Sequence, residues 1–258
     1  MERPEICHII AALDRDPQAL AECMRLSCDA VIVDQCDTDG REEFDRNGHR
    51  IRVVRDSGRG VGRSRNQGLL YSDGEITLIG DEDIVYDDGY AELVTKTFAA
   101  HPEADVLLFN VEQSPGRETY RNTDVRRVRF YNCGRYPAYS IAIRTDRQRE
   151  ANVWFSHLFG GGAPYMAGED SLFLTDCLRK HLVILRVPVC IGRETPREST
   201  WFKGHTAQFF FDRGKLYKAL YGKAAGLFAF IYLLRNRRVW LTELSFSEAW
   251  KHLTEGMR

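Results

Sequence analysis

The chain has no apolar run of the roughly 20 residues that a bilayer-crossing helix needs, no Cys-x-x-Cys pair and almost no net charge. Each absence removes a class. With 28% charged and 43% hydrophobic residues, the sequence is neither an integral helical membrane protein nor a disordered chain. Seven cysteines, odd in number and scattered, are expected as reduced, mostly buried thiols and not as a disulfide framework or zinc site. A formal net charge of -1 creates no global field for nucleic acid, and no nucleic-acid partner is expected. No signal-like apolar segment precedes the first strand pattern, which predicts a cytoplasmic protein. The glycines at Gly58, Gly60 and Gly62 lack the spacing of a dinucleotide fingerprint, and no Gly-Lys-Ser/Thr follows them.

What is present is an alternation of short apolar runs and helical patterns. Apolar runs at 6–13, 30–34, 51–54, 75–80, 105–110, 139–143 and 182–187 read as strands. Helical patterns follow Asp16 and Pro17, an N-cap and first-turn pair, and recur at 64–70, 88–100 and 171–178. Short links between them predict an α/β fold with a mostly parallel, doubly wound sheet, for which 258 residues suffice. Residues 35–40 read as a polar loop and 58–62 as either a nucleotide loop or a mobile connection. The arginine-rich stretch 113–135 reads as a solvated face or as an exposed hairpin pair near an anionic substrate.

The run Ile76-Thr77-Leu78-Ile79-Gly80 ends in Asp81-Glu82-Asp83. Ligands of open α/β sheets bind beyond the carboxyl ends of strands. Three acids there are either a solvated turn or a seat for a hard divalent cation, which relieves their repulsion. The first strand ends in the small residues Ala11 and Ala12, where a ligand can approach. Gly168-Glu169-Asp170 opens a helical pattern, so this acid pair is either first-turn charge or part of a site.

In their order, Val31-Ile32-Val33-Asp34 with Asp37-Thr38-Asp39-Gly40, Ser64-Arg65-Asn66-Gln67-Gly68, Asp81-Glu82-Asp83 and Gly168-Glu169-Asp170 resemble family 2 glycosyltransferases over residues 5 to about 200. The resemblance implies a GT-A fold: a Rossmann-like, mostly parallel central sheet flanked by helices. It implies a catalytic domain over 1–206, with a nucleotide-sugar half at about 1–112 and an acceptor half at about 113–206. It also implies inverting transfer of a sugar from a nucleotide diphosphate donor to a glycan or lipid-linked acceptor, as in bacterial surface polysaccharide synthesis. By the same resemblance, Asp170 is the general base and Glu169 orients donor or acceptor. Ala11, Asp34, Gln35, Arg65, Asp81 and Glu82 hold the donor, and Asp83 holds Mn²⁺ or Mg²⁺. Gln35 stands where many members carry a second Asp that meets uracil, and Asp37 replaces a commoner Ser. A UDP-sugar is therefore favoured only weakly. His205 follows the last strand, where some relatives place a metal-binding histidine; a plain surface histidine is the alternative. Trp201 is either a packing residue or a platform for the acceptor.

Residues 203–238 carry eight Lys or Arg against Asp212 alone, around the apolar run 224–234. A basic amphipathic helical tail over 207–258 is expected. Its basic part, 207–238, would lie on an anionic membrane surface, making the protein peripheral on the inner face of the cell membrane, or else pack on the catalytic domain or a partner. Two further readings stay open: a nucleotidyltransferase, whose Lys-containing phosphate loop is missing after the first strand, and a catalytically silent sugar-nucleotide or glycan-binding subunit.

Overall fold

The computed structural model describes residues 4–113, 118–195, 204–240 and 243–258. The chain begins β1 (Ile6–Leu13), α1 (Pro17–Cys23), β2 (Asp29–Gln35), β3 (Gly40–Arg46), β4 (His49–Asp56), α2 (Val61–Tyr71), β5 (Ile76–Asp81), β6 (Ile84–Tyr86) and α3 (Tyr90–Ala100). It continues β7 (Val106–Glu112), β8 (Arg126–Arg127), β9 (Ile141–Arg144), α4 (Thr145–Ala151), α5 (Glu169–Arg179) and β10 (Ile184–Glu194). The helices α6 (Ala207–Tyr221), α7 (Ala225–Trp240) and α8 (Phe246–Met257) complete it.

One ten-stranded sheet runs in the order β3-β4-β2-β1-β5-β9-β7-β10-β6, with β8 on β10. The strands β1, β2, β4 and β5 pair in parallel, as do β7 and β10. Burial on both faces explains why β1, β2, β5 and β7 read as unbroken apolar runs. Their register brings the carboxyl ends level: Ala11 lies opposite Asp81, and Ala12 opposite Asp34.

Three features depart from the expected pattern. The polar stretch read as a loop ends at Gly40, where the charged edge strand β3 begins; it turns into β4 through Asn47 and Gly48, both at positive φ (54° and 83°). Asn-Gly suits this two-residue hairpin turn, and charge on an edge strand discourages further pairing. The strand β9 enters the sheet antiparallel to both neighbours, β5 and β7. An antiparallel entry needs no helical crossover, and the chain reaches it through short 3₁₀ turns at Cys133–Arg135 and Ala138–Ser140. Among the described residues the arginine-rich stretch forms no hairpin pair. Its one ladder is the two-residue β8, and buried side chains anchor the rest. Asn122 donates to the Leu108 carbonyl at 2.9 Å and Tyr120 to the Phe109 carbonyl at 2.9 Å.

The tail forms a helical unit with its own core of Phe209, Phe210, Ala229, Leu233, Trp240, Ala249 and Leu253. It also grips the sheet domain. Leu216 packs with Phe159 and Leu172, and Asp212 accepts the Met166 N–H at 3.1 Å. Trp201 and Lys203 lie outside the described residues.

Candidate active site

The small side chains at the end of β1 leave a cleft of about 210 Å³ above the sheet. Ala11, Ala12 and Leu13 form its floor, Asp81, Glu82 and Asp83 one wall, and Arg65, Gly161 and Glu169 the other. The centre of the cleft is an arginine. Arg65, only 4% exposed, donates from Nη2 to Asp81 Oδ1 at 2.6 Å and from Nη1 to Glu169 Oε1 at 2.7 Å. It therefore ties the acid turn after β5 to the first turn of α5. Its guanidinium also lies 5.4 Å from the ring centre of Phe155.

The stretch Ser64-Arg65-Asn66-Gln67-Gly68 is what holds Arg65 there. Asn66 clamps residue 155 through both backbone groups, at 2.9 Å and 2.8 Å. Gln67 donates to Asp56, which Arg63 also binds in a two-pronged pair at 2.7 Å and 2.9 Å. A side chain on Gly68 would strike Ile9 of β1, so the helix can sit close on the sheet. Gly60, at φ +124°, packs against Gly162, where an added Cβ would come within 3.0 Å of the Gly60 nitrogen. The two glycine stretches thus meet each other, and the Val61 N–H donates to the Gly161 carbonyl at 2.9 Å.

The residues expected at the site divide into those the cleft gathers and those it does not. Ala11, Gln35, Arg65, Asp81, Glu82, Asp83 and Glu169 line it. Gln35 Oε1 accepts the Gly60 N–H at 2.7 Å, so part of its amide holds the glycine loop. Glu82 accepts the Leu13 N–H at 3.0 Å, and the Asp83 carbonyl accepts the Thr195 N–H at 2.7 Å. Asp34 sits beneath the cleft, 1% exposed: Oδ1 accepts the Arg15 N–H at 3.0 Å, and Oδ2, 4.0 Å from Arg55, has no hydrogen-bond partner. His205 is not among the lining residues; it sits in the helical unit, where Nδ1 is 3.2 Å from Glu243 and the ring meets Phe209 edge-on.

Asp170 follows Glu169 in the first turn of α5 and accepts the Ser171 N–H at 2.6 Å. Removal from water, and then the adjacent Glu169 charge, push its carboxyl up to about 7; the Ser171 N–H and Arg65 oppose this. A carboxylate tuned near neutrality suits proton abstraction at physiological pH.

The alignment of these features has a family counterpart. Residues 9–167 match the model of glycosyl transferase family 2. The chain belongs to that family. A search of curated proteins finds no match. Among solved structures, S. aureus TarS 1–349 in complex with UDP-GlcNAc is similar at 16% identity and a TM-score of 0.65, covering 96% of this chain and 79% of that one. The mannosyltransferase PcManGT from Pyrobaculum calidifontis, in complex with GDP-Man and Mn²⁺, is similar at 14% identity and a TM-score of 0.54, covering 99% and 74%. The fold of this glycosyltransferase is GT-A, extended by C-terminal helices.

Two residues at the cleft escaped the sequence, whereas Val61, which also lines it, falls in the 58–62 stretch read as a nucleotide loop or a mobile connection. Gly161 lines the cleft without a side chain, which leaves no signature. Tyr139 borders the acid turn: burial, and then the charges of Glu194, Asp81 and Asp83, keep its phenol protonated, while Gln113 donates to it at 2.7 Å. Its position depends on the antiparallel entry of β9.

Proposed function

We propose that this family 2 glycosyltransferase moves a sugar, with inversion, from a nucleotide diphosphate donor to an acceptor hydroxyl in the synthesis of a bacterial surface polysaccharide. The observation that carries the reading is the Arg65 bridge between Asp81 and Glu169 across the cleft. It joins a donor-side acid to the helix turn that bears a carboxyl poised near neutrality. The TarS complex with UDP-GlcNAc and the PcManGT complex with GDP-Man support a nucleotide-sugar donor.

The donor set fits Mn²⁺ or Mg²⁺ in a restricted sense. Among the described residues no three His, Cys, Asp or Glu side chains are grouped to enclose a metal. Asp83 and Asp81 nevertheless face the same cleft, and hard cations beside phosphates need only one or two protein carboxylates. Asp83 would hold the ion, which when bound supplies charge neutralisation for the departing diphosphate. Within this reading Gln35 receives the nucleoside, Asp34 supports that end of the cleft from beneath through the Arg15 N–H, and Arg65 keeps Asp81 and Glu169 in register. Glu169 orients the reacting sugars. Asp170 takes the acceptor proton as its oxygen attacks the anomeric carbon from the face opposite the leaving group. One base suffices for inversion.

Thermal melts with UDP or GDP and Mn²⁺ test the donor side. A ligand at about 100 times its Kd raises stability by about 2.7 kcal/mol. The intact protein is expected to show a metal-dependent shift, and Asp83→Ala to lose that dependence. A variant that keeps the full metal response removes Asp83 from the metal site.

The helical unit supports a second element of the reading, attachment to an anionic bilayer. No described helix is long and apolar enough to cross a membrane. The helix α7 buries Ala225, Ala229, Leu233 and Trp240 against its neighbours and turns Leu227 (61% exposed), Phe230, Ile231 and Leu234 outward. These four follow helical spacing, and Arg235, Arg237 and Arg238 continue the exposed surface. Such a face suits the interface of a bilayer with acidic lipid. Replacing Leu227 and Leu234 by Glu is expected to weaken binding to phosphatidylglycerol vesicles by about tenfold or more, with thermal stability preserved. Unchanged binding in a sedimentation assay discards the attachment.

A further inference from the structure

The arginine-rich stretch does not belong to the cleft or to the tail, and its course through the molecule is informative. Residues 121–135 carry Arg121, Arg126, Arg127, Arg129 and Arg135, all exposed, against Asp124 as their one acid. Asp124 is already engaged by Arg126 at 3.0 Å and by Arg186. Arg121, Arg127 and Arg129 have no ion-pair partner among the described residues. The stretch is farthest from the cleft at its middle: Arg127 pairs with Leu185, at the amino end of β10 and thus the opposite end of the sheet from Asp81. It then climbs along α5. Cys133 Sγ lies 3.6 Å from Thr175 Oγ1, and the Gly134 carbonyl accepts the Ser171 hydroxyl at 3.4 Å, one residue from Asp170. Phe130 (52% exposed) and Tyr131 (81%) stand among the arginines with their rings in solvent.

Five like charges on one exposed stretch repel one another, and of the five only Arg126 has an ion-pair partner among the described residues. The anchors that hold the stretch are all buried: Asn122, Val128 and Cys133 lie between the arginines, and Tyr120 and Tyr136 flank them. The backbone is thus built as a fixed rail whose exposed side is positive and aromatic, and the rail ends beside the carboxyl assigned as base. A single charged headgroup would need only the end near Asp170. A rail running from the far end of the sheet at Arg127 to the first turns of α5 fits an extended chain with repeated charges.

We propose that the acceptor is a polyanionic glycan chain, laid along Arg127, Arg129 and Arg135 so that its reactive hydroxyl reaches Asp170. This rests on the transferase reading above. It adds the chemical class of the acceptor: a polymer with phosphodiester or carboxylate groups. Attraction of this kind is salt-dependent, and removing an arginine that neutralises one anionic group makes log K fall less steeply with log salt.

The test is fluorescence titration of the full chain with labelled polyphosphate, polygalacturonate and neutral dextran at several salt concentrations. Arg127→Gln/Arg129→Gln/Arg135→Gln is compared with Arg235→Gln/Arg237→Gln/Arg238→Gln on α7. The expected result is polyanion binding that falls about tenfold or more in the first variant, with a salt slope shallower by about 2, and stays within about twofold in the second. The tighter of the two polyanions identifies phosphodiester or carboxylate as the charge, and either supports the proposal. Equal binding of dextran, or full polyanion affinity in the first variant, overturns it. So does tighter binding of a single-stranded oligonucleotide. Loss of binding to vesicles of about 70% phosphatidylcholine and 30% phosphatidylglycerol in the first variant assigns the rail to lipid and overturns it as well. Nucleotide melts with Mn²⁺ on the same proteins separate the two readings. A nucleotide shift without polyanion binding removes this inference alone, and polyanion binding without a nucleotide shift removes the transferase reading.

Discussion

Asp170→Asn is expected to lower kcat by about 10²- to 10⁴-fold, the usual worth of a positioned general base, while nucleotide binding stays nearly intact. In the unmutated enzyme kcat/KM should rise with pH through about 7, since only the ionised carboxylate accepts a proton. The same group makes a stability prediction of opposite sign. An unfolded Asp ionises near 3.9, whereas Asp170 in the folded chain holds its proton to about 7. Between these values the folded state binds more protons than the unfolded state. Stability therefore declines as pH rises from about 4 to about 7 and does not recover above it. The Asn variant lacks this penalty, so its Tm should exceed that of the unmutated enzyme at pH 8 and match it at pH 4. Substantial transfer by the variant removes Asp170 as base. Identical melting temperatures at both pH values mean that its carboxyl ionises normally.

Arg65→Leu is expected to be the most destabilising single change in the cleft. Arg65 is 4% exposed, and its partners Asp81 and Glu169 are 28% and 12% exposed. Removing one member of a buried charged network strands the others, at a cost of about 3 kcal/mol or more. For a chain of this size that lowers Tm by roughly 6–12 °C. Two carboxylates without their shared cation repel, so the donor-side turn and the start of α5 should also separate and transfer should fall. Arg65→Lys keeps the charge but replaces a two-pronged guanidinium by a point donor, and it should recover part of the stability and little of the activity. Denaturation and initial-rate measurements on the pair check this. A Leu variant as stable as the parent would mean that the bridge carries no net energy.

The legibility of the fold followed burial. Runs such as Ile6–Leu13 and Ile76–Asp81 are apolar on both faces, so they declare themselves as strands without any tertiary information. The strand β3 was hidden because an exposed edge strand is polar, although Asn47-Gly48 marked its turn. The orientation of β9 was hidden for a different reason. An apolar run of four residues is the same whichever way it enters a sheet.

The site was legible as a set of residues and illegible as a set of pairings. Asp81, Glu82 and Asp83 after a buried strand, and Glu169 and Asp170 at a helix start, are visible in order. That Arg65 would bind one member of each group across 16 and 104 residues of separation is not. Gln35 looked like a substitution aimed at the base, yet its amide oxygen also holds Gly60. His205, expected as a metal ligand or a plain surface histidine, meets Glu243 in the helical unit, a partner 38 residues on that nothing at its own position announces. The apolar run 224–234 looked uniform until α7 divided it into a packed face and an open one.

The sequence by itself determined the α/β class, the strand-end acids and the family, because these depend on local periodicity and on residue types at short spacing. Only the tertiary structure decided which charges meet, which glycines touch and where the arginines lead. Those outcomes depend on strand order and register, which bring together segments that carry no mark of one another in the chain.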